Sequence, residues 1–307
     1  MTYYIITFGC QMNLSDSEKI KAILDSNGFI ETKDRDMSDI IVINTCSVRE
    51  SAENRVFGLA ENLSNLKQKN NKPFIVVTGC MPGRDTNNEI RKKFKNKIDL
   101  FIKINDIEKL PQLIYKYFGG QYMEGNMDLS KIDIKNDIRN ISYIDIKSEN
   151  ESKFEAFIPI ITGCNNFCSY CIIPYVRGRV RSRDITDIKN EALHMSAKGI
   201  KEIVLTGIHL DSFGKDKQNL KLIDVIAELN ELESIKRIRL GSLEPNIITD
   251  DFINEIKKYS KLCPHFHMSL QSGSDKVLAD MNRKYDSSMF LNAVNKLRNQ
   301  IPSVEIT

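Results

Sequence analysis

The chain has 307 residues, with 44 basic and 41 acidic side chains and a net formal charge of +3. Its length suits two or three domains, its 41% apolar and 28% charged composition excludes a largely disordered chain, and its near-balanced charge excludes a generally basic nucleic-acid coat while leaving room for a local basic patch. No apolar run approaches the ~18 residues needed to span a bilayer, and Met1–Phe8 lacks the basic flank and apolar core of a signal peptide, so a cytoplasmic protein with no membrane partner is expected.

The first part of the chain alternates short apolar runs with helical patterns. Tyr3–Phe8 reads as a strand. Ser15 and Glu18 then have capping-box spacing, which predicts a helix from Ser15 to about Asn27, stopped by Gly28. Ile40–Asn44 and Phe74–Thr78 are continuous apolar runs of the kind buried on both faces of a parallel sheet, with a helix over Arg49–Lys69 between them. A weaker strand at Asp99–Ile102 and a helix at Ile107–Phe118 complete a domain over residues 1–118. Residues 119–152 hold Gly119-Gly120, scattered charges and strand-like pieces such as Ile141–Ile146, and read as a linker with room for a hairpin.

A second α/β series occupies 153–307. Strands are expected at Phe157–Thr162, Glu202–Thr206, Arg237–Gly241, His265–Leu270 and Ser303–Thr307, with helices at Asp184–Lys198, Leu220–Leu232, Thr249–Tyr259 and Ser287–Asn299. Consecutive β/α units of this kind build a full or partial barrel. The fold class is therefore α/β: an N-terminal parallel α/β domain, then a partial β/α barrel. The last strand pattern is left uncovered, which points to a fragment of a longer protein.

The seven cysteines carry the chemistry. An odd number in a large chain with no sign of export argues against a disulfide framework. Cys164, Cys168 and Cys171 form C-x3-C-x2-C just after a strand. Three thiolates on one tight loop suit three corners of an iron–sulfur cube whose fourth iron stays open; structural zinc is the alternative, but it wants a fourth ligand and the next histidine is His194. Cys10, Cys46 and Cys80 each follow a predicted strand, about one β/α unit apart. In a parallel sheet all three strand ends share one edge, so these thiols are expected to converge as a second open-iron set; three separately buried cysteines are the alternative. Cys263 is assigned to packing. His265 and His267 face the same side of a strand and read as a polar core pair.

These motifs resemble those of radical S-adenosylmethionine enzymes, and specifically the methylthiotransferases. The matching segments are GCQMN (Gly9–Asn13), NTCSVRE (Asn44–Glu50), VTGC (Val77–Cys80), TGCNNFCSYCIIPYVRGRVRSR (Thr162–Arg183), LTGIHLDSFG (Leu205–Gly214), SLQSGS (Ser269–Ser274) and MNRK (Met281–Lys284). They span nearly the whole chain. The first two look like the MiaB-type branch, which acts on N6-isopentenyladenosine in tRNA. LTGIHLDSFG, GSLEP (Gly241–Pro245) and CPHFHMSLQSG (Cys263–Gly273) look more like the MtaB-type branch, which acts on N6-threonylcarbamoyladenosine. A third branch modifies a ribosomal-protein aspartate and typically carries Pro-Lys where this chain has Gln11-Met12.

The resemblance implies methylthiolation at C2 of an N6-modified adenosine 37 in the tRNA anticodon stem–loop, supported by an external electron donor and a sulfur donor. Methylthiolation of a ribosomal-protein aspartate and a non-catalytic iron–sulfur or RNA-binding protein are the competing readings. It implies two [4Fe–4S] clusters: Cys164, Cys168 and Cys171 hold the one that binds and reductively cleaves S-adenosylmethionine, and Cys10, Cys46 and Cys80 hold the auxiliary one that presents sulfur. Thr206 and Gly207, Ser242 and Glu244, and Gln271 and Ser272 follow barrel strands, and are expected S-adenosylmethionine contacts or plain strand-end polar groups. Tyr170 is expected either to pack on the adenine or to be structural. Arg177, Arg179, Arg181 and Arg183 alternate, so in an extended segment all four would face one side as a phosphate-binding stripe; a solvated basic edge strand is the alternative. Family members continue beyond this chain into further barrel elements and a small RNA-binding β-barrel.

Overall fold

A computed structural model describes residues 1–47, 50–70, 72–122, 154–217 and 220–307. They fall into two compact units, one within residues 1–149 and one within 150–307. The strand-like pieces expected at 141–146, and the expected linker from residue 123 to 152, lie outside the described residues.

The first unit is built on a parallel sheet of β1 (Thr2–Thr7), β2 (Ile30–Glu31), β3 (Ile40–Thr45), β4 (Phe74–Gly79) and β5 (Leu100–Phe101), in the order β2-β1-β3-β4-β5. β3 and β4 are buried at every position, as their unbroken apolar runs require. Successive side chains alternate between the two faces. Ile40 and Val42 join one core with Ile20 and Leu24 of helix α1 (Gln11–Ser26) and Leu110 and Ile114 of α5 (Leu110–Tyr122). Ile41 and Ile43 join the opposite core with Val56, Ala60 and Leu63 of α2 (Glu50–Asn70), whose spacing of four and three residues lines one helix face. Each such buried aliphatic side chain contributes about 1.5–3 kcal/mol. Short helices α3 (Cys80–Arg84) and α4 (Glu89–Lys93) follow β4.

Two expectations change here. α1 starts at Gln11 with Cys10 in the N-cap position, five residues before the expected cap Ser15, which is buried within the helix. The chain turns at Gly9, and the Cys10 N–H donates to Asn13 Oδ1 (3.4 Å), so the helix is already under way when the S-x-x-E pattern is reached. α5 runs through Gly119-Gly120 to Tyr122 rather than ending at Phe118.

In the second unit β6 (Glu155–Thr162), β8 (Glu202–Gly207) and β9 (Arg237–Leu240) are parallel, and the two-residue β7 (Arg181–Ser182) is antiparallel to β6, giving the order β7-β6-β8-β9. Bridges Ile238–Leu262 and Leu243–Met268 continue the parallel run toward the pair β10 (His265–Phe266) and β11 (Glu305–Ile306). Helices α7 (Ile185–Ala197) and α8 (Leu222–Asn230) pack Ile188, Ala192 and Met195, and Val225, Ile226 and Leu229, into one core with the strands. This is the expected partial barrel. α6 (Ile173–Val176), α9 (Asp250–Ile256), α10 (Asp275–Asp280) and α11 (Ser287–Gln300) complete it. β10 is shorter than the expected His265–Leu270. Tyr285 Oη donates to the carbonyls of Ser269 and Leu270, and Gln271 has φ 67°, so the ladder ends early. Among the described residues no helix is long and apolar enough to cross a membrane.

Candidate functional site

Each unit places three cysteines at the carboxyl edge of its parallel strands or on the loop leaving it. In the first unit Thr7, Asn44 and Thr78 are aligned across β1, β3 and β4, and Thr45 is aligned with Gly79. Cys46 and Cys80 therefore stand level with each other, and Cys10 leaves β1 beside them. A Cβ on Gly9 would lie 2.9 Å from Cys46 Cβ, so the Cys10 turn passes directly against Cys46. Cys10 is exposed, whereas Cys46 and Cys80 are buried.

A polar lattice fixes these strand ends. Asn13 Nδ2 donates to Asn44 Oδ1 (3.3 Å) and the Thr45 carbonyl (3.0 Å), and Asn44 Nδ2 donates to the Asn13 carbonyl (2.8 Å) and Ser17 Oγ (2.9 Å). Thr45 Oγ1 donates to the Thr78 carbonyl and accepts from Met81 N–H (3.2 Å), which ties the Cys46 strand to the Cys80 turn. Buried amides satisfied on both sides rigidify such an edge.

In the second unit β6 delivers the chain to Gly163, and the loop closes through Cys164 N–H to the Gly178 carbonyl (3.1 Å) and Cys171 N–H to the Cys168 carbonyl (2.9 Å). Asn166 N–H lies 3.4 Å from Cys164 Sγ. Burial pushes the Cys164 thiol up, and this N–H opposes the shift.

Around this loop lies a charged network that spacing in the sequence does not reveal. Glu244 Oε1 accepts from Arg283 Nη2 (2.7 Å) and Asn166 Nδ2 (3.1 Å), and its other oxygen faces His209 Nε2 at 3.4 Å. Burial raises the Glu244 carboxyl, but His209, Arg283 and Asn166 outweigh it and hold the group below its ordinary range. His209 Nδ1 pairs with Ser212 Oγ (2.6 Å), and Asp211 accepts from Glu244 N–H (2.8 Å). Burial pushes Asp211 up to about 6. Arg283 Nη1 reaches Cys168 Sγ (3.3 Å) and Tyr170 Oη (3.4 Å). Asn282, Arg283 and His209 are additions to the expected set. Met281–Lys284 was legible only as a motif, because its residues meet the cysteine loop through tertiary folding.

The remaining expected residues divide. Thr206 is buried at the end of β8 and Gly207 packs against Ile161 of β6, while Ser242 is exposed just beyond β9. Glu244 is drawn to the cysteine loop by Asn166, and Tyr170, within that loop, meets Arg283. Gln271 is exposed, and Ser272 Oγ accepts from Ser274 N–H (3.1 Å) within its own turn. Cys263 is buried, in keeping with packing. The histidine pair is not in the core: His265 is half-buried and His267 exposed, and both rings meet Thr307 Oγ1, at 3.2 and 3.1 Å.

The four-arginine stripe does not form. Arg183 is fully buried, with Nη1 on Glu191 (2.5 Å) and the Pro159 carbonyl (3.0 Å), and Arg177 is buried at the C-terminal end of α6. The segment is paired as a strand only at Arg181–Ser182, with Arg177 helical and Gly178 at φ 76°, so the strict alternation the stripe requires is broken. Arg179 and Arg181 stay exposed, Arg179 lying over the Phe167 ring at 4.4 Å.

Comparison with known proteins matches residues 2–102 to Uncharacterized protein family UPF0004 and residues 158–307 to the Radical SAM superfamily. A tRNA-2-methylthio-N(6)-dimethylallyladenosine synthase of Dictyoglomus thermophilum is 39% identical over 99% of this chain and 67% of its own length. Proteins of the same name from Clostridium tetani (39% identical, 100% of this chain and 66% of theirs) and Thermoanaerobacter pseudethanolicus (38%, 99% and 63%) are similar. The chain belongs to the radical S-adenosylmethionine methylthiotransferase family. It spans about two thirds of the length of these relatives. Among solved structures, the tryptophan-bound radical S-adenosylmethionine methyltransferase TsrM of Kitasatospora setae superposes with a TM-score of 0.64 at 11% identity, covering 99% of this chain and 66% of that one. The cobalamin-dependent radical enzyme OxsB gives 0.63 at 12% identity, covering 99% and 48%. At that identity the likeness is one of fold.

The donor sets fit the [4Fe–4S] clusters of this family. Each unit offers three thiols, the soft donors that iron–sulfur clusters take, whereas the one set whose three ligating atoms lie within 4.8 Å of one another among the described residues, His209, Asp211 and Glu244, offers nitrogen and oxygen. The backbone N–H at Cys164 Sγ and the guanidinium at Cys168 Sγ are suited to thiolates.

Proposed function

We propose that the protein of which this chain is part attaches a methylthio group to C2 of an N6-dimethylallylated adenosine 37 in the anticodon stem–loop of tRNA, in the cytoplasm where tRNA resides. The observation that carries this reading is the placement of three cysteines at the strand ends or strand-exit loop of each unit, in a chain whose longer relatives bear the name tRNA-2-methylthio-N(6)-dimethylallyladenosine synthase. That name favours the dimethylallyl over the threonylcarbamoyl substituent.

In this reading Cys164, Cys168 and Cys171 hold the cluster that binds S-adenosylmethionine, and Cys10, Cys46 and Cys80 hold the auxiliary cluster. When bound, these groups supply the one-electron chemistry and the sulfur needed at C2–H, a position without acid–base activation. An external reductant and a sulfur donor replenish them. Thr206 and Gly207 end β8, and Ser242, Glu244, Gln271 and Ser272 follow later barrel strands, where S-adenosylmethionine would be oriented, and the exposed Tyr170 ring is available to its adenine. Arg179 and Arg181 remain as exposed cations for RNA phosphates; Arg177 and Arg183 are withdrawn from that role.

The experiment is nucleoside mass spectrometry of tRNA from cells with and without the gene. Loss of 2-methylthio-N6-dimethylallyladenosine on deletion, with accumulation of the form lacking sulfur, is expected. In complemented cells Arg179→Ala/Arg181→Ala should lower the modified fraction. Unaltered tRNA in the deletion strain would reject the assignment.

A further inference from the structure

The segment that follows α10 docks on the cysteine loop from more than a hundred residues away. Ser169 N–H donates to the Met281 carbonyl (3.1 Å) and Ser169 Oγ to the Asp280 carbonyl (2.9 Å). Asn282, at φ 56°, turns its amide onto the carbonyls of Asn166 (3.3 Å) and Phe167 (3.0 Å). The next residue, Arg283, is inserted between Cys168, Tyr170, Glu244 and Tyr285. Nη1 lies 3.3 Å from Cys168 Sγ, Nη2 lies 2.7 Å from Glu244 Oε1, and Nε donates to Tyr285 Oη (3.1 Å). Its side chain is only 7% exposed, and Tyr285 is held in turn by the Ser269 and Leu270 carbonyls. The guanidinium is thus fixed from every side, in a pocket where water screens little.

We propose that Arg283 is a positioning residue that sets the reduction potential of the centre held by Cys164, Cys168 and Cys171, through a charge-assisted hydrogen bond to the Cys168 sulfur. The inference rests on the reading of those cysteines as cluster ligands. Reduction adds one electron from an external low-potential donor; no bond breaks and no proton moves. The added negative charge is spread over the cluster and its thiolates. Hydrogen bonds to the sulfurs and nearby positive charge stabilise that form and raise the potential. Arginine supplies both without titrating. Glu244, on the other side of the same guanidinium, acts in the opposite sense. Its carboxylate weakens the cation's effect on the sulfur while keeping the fork aimed at it. The two residues therefore form an opposed pair, and each has a distinct electrochemical sign.

The test is an anaerobic redox titration with dithionite, followed by electron paramagnetic resonance, on the full chain carrying Cys10→Ala, Cys46→Ala and Cys80→Ala, so that one centre remains. At the poise that half-reduces this parent, Arg283→Gln is expected to lower the ratio of reduced to oxidised centre about tenfold, equivalent to about 59 mV, with iron content unchanged. Glu244→Gln is expected to raise the ratio. Arg283→Lys, which keeps the charge without the fork, should fall between parent and Arg283→Gln. Unchanged ratios in Arg283→Gln and Glu244→Gln with iron retained overturn the proposal. Should Arg283→Gln hold no iron, Glu244→Gln decides: an upward shift supports the assignment and an unmoved ratio overturns it. A parent chain that binds no iron would overturn the reading of the cysteines instead.

Discussion

Replacing Gly163 with alanine is expected to strip the second unit of its iron, leaving about four irons per chain where the native chain holds about eight. Gly163 has φ 71°, a left-handed conformation that costs an L-residue roughly 1–2 kcal/mol. The larger effect is steric. A Cβ there would lie 2.0 Å from the Arg179 carbonyl oxygen and 2.7 Å from that of Gly178, both backbone atoms that no rotamer change can move aside. The loop is closed at this same place by Cys164 N–H on the Gly178 carbonyl. One methyl group thus pushes the first ligand away from the strand that positions it. Gly58→Ala in α2 is the control, since a Cβ there meets nothing within 4 Å and favours the helix. Iron analysis after anaerobic reconstitution reads the outcome. Full iron loading of Gly163→Ala would show that the thiols are not held by this turn.

Arg183→Met is expected to destabilise the second unit by about 3–5 kcal/mol. Arg183 and Glu191 are both fully buried and pair at 2.5 Å, and the guanidinium also donates to the Pro159 carbonyl. The pair joins the residue after β7 to helix α7, so it clips the returning chain onto β6. Removing the cation leaves the Glu191 charge in the core without this counter-charge. Replacing both, as Arg183→Met/Glu191→Leu, should recover most of the loss, because two apolar side chains incur no charge desolvation. Protection of the β6 amides against hydrogen exchange in the unreconstituted chain measures this locally. A single variant that costs under about 1 kcal/mol, or a double no better than the single, would contradict it.

The fold was legible where one physical rule dominates. Runs such as Ile40–Asn44 and Phe74–Thr78 read as buried on both faces, so the parallel sheet, and the placing of Cys10, Cys46 and Cys80 just past the ends of β1, β3 and β4, followed from sequence order. The C-x3-C-x2-C loop was legible because its three cysteines are close in sequence. Ser15 misled because capping chemistry cannot tell a helix start from a buried serine within the helix. The arginine stripe misled for a related reason. Alternation decides facing only in an extended chain, and Arg183 instead found a buried carboxylate eight positions on in α7. Arg283, Glu244 and His209 were out of reach as a set, since each comes from a different loop and only packing brings them to Cys168 and Asn166.

If each unit holds an iron–sulfur cube by three thiols, the metal content follows the thiols, and metal and acid-labile sulfide analysis with Mössbauer spectroscopy, on the anaerobically reconstituted chain and its Cys46→Ala and Cys168→Ala variants, reads it. About eight irons and eight sulfides are expected in the native chain, present as two [4Fe–4S] clusters, and about four of each in either variant. Zinc in place of iron, or about four irons that neither substitution removes, would contradict it.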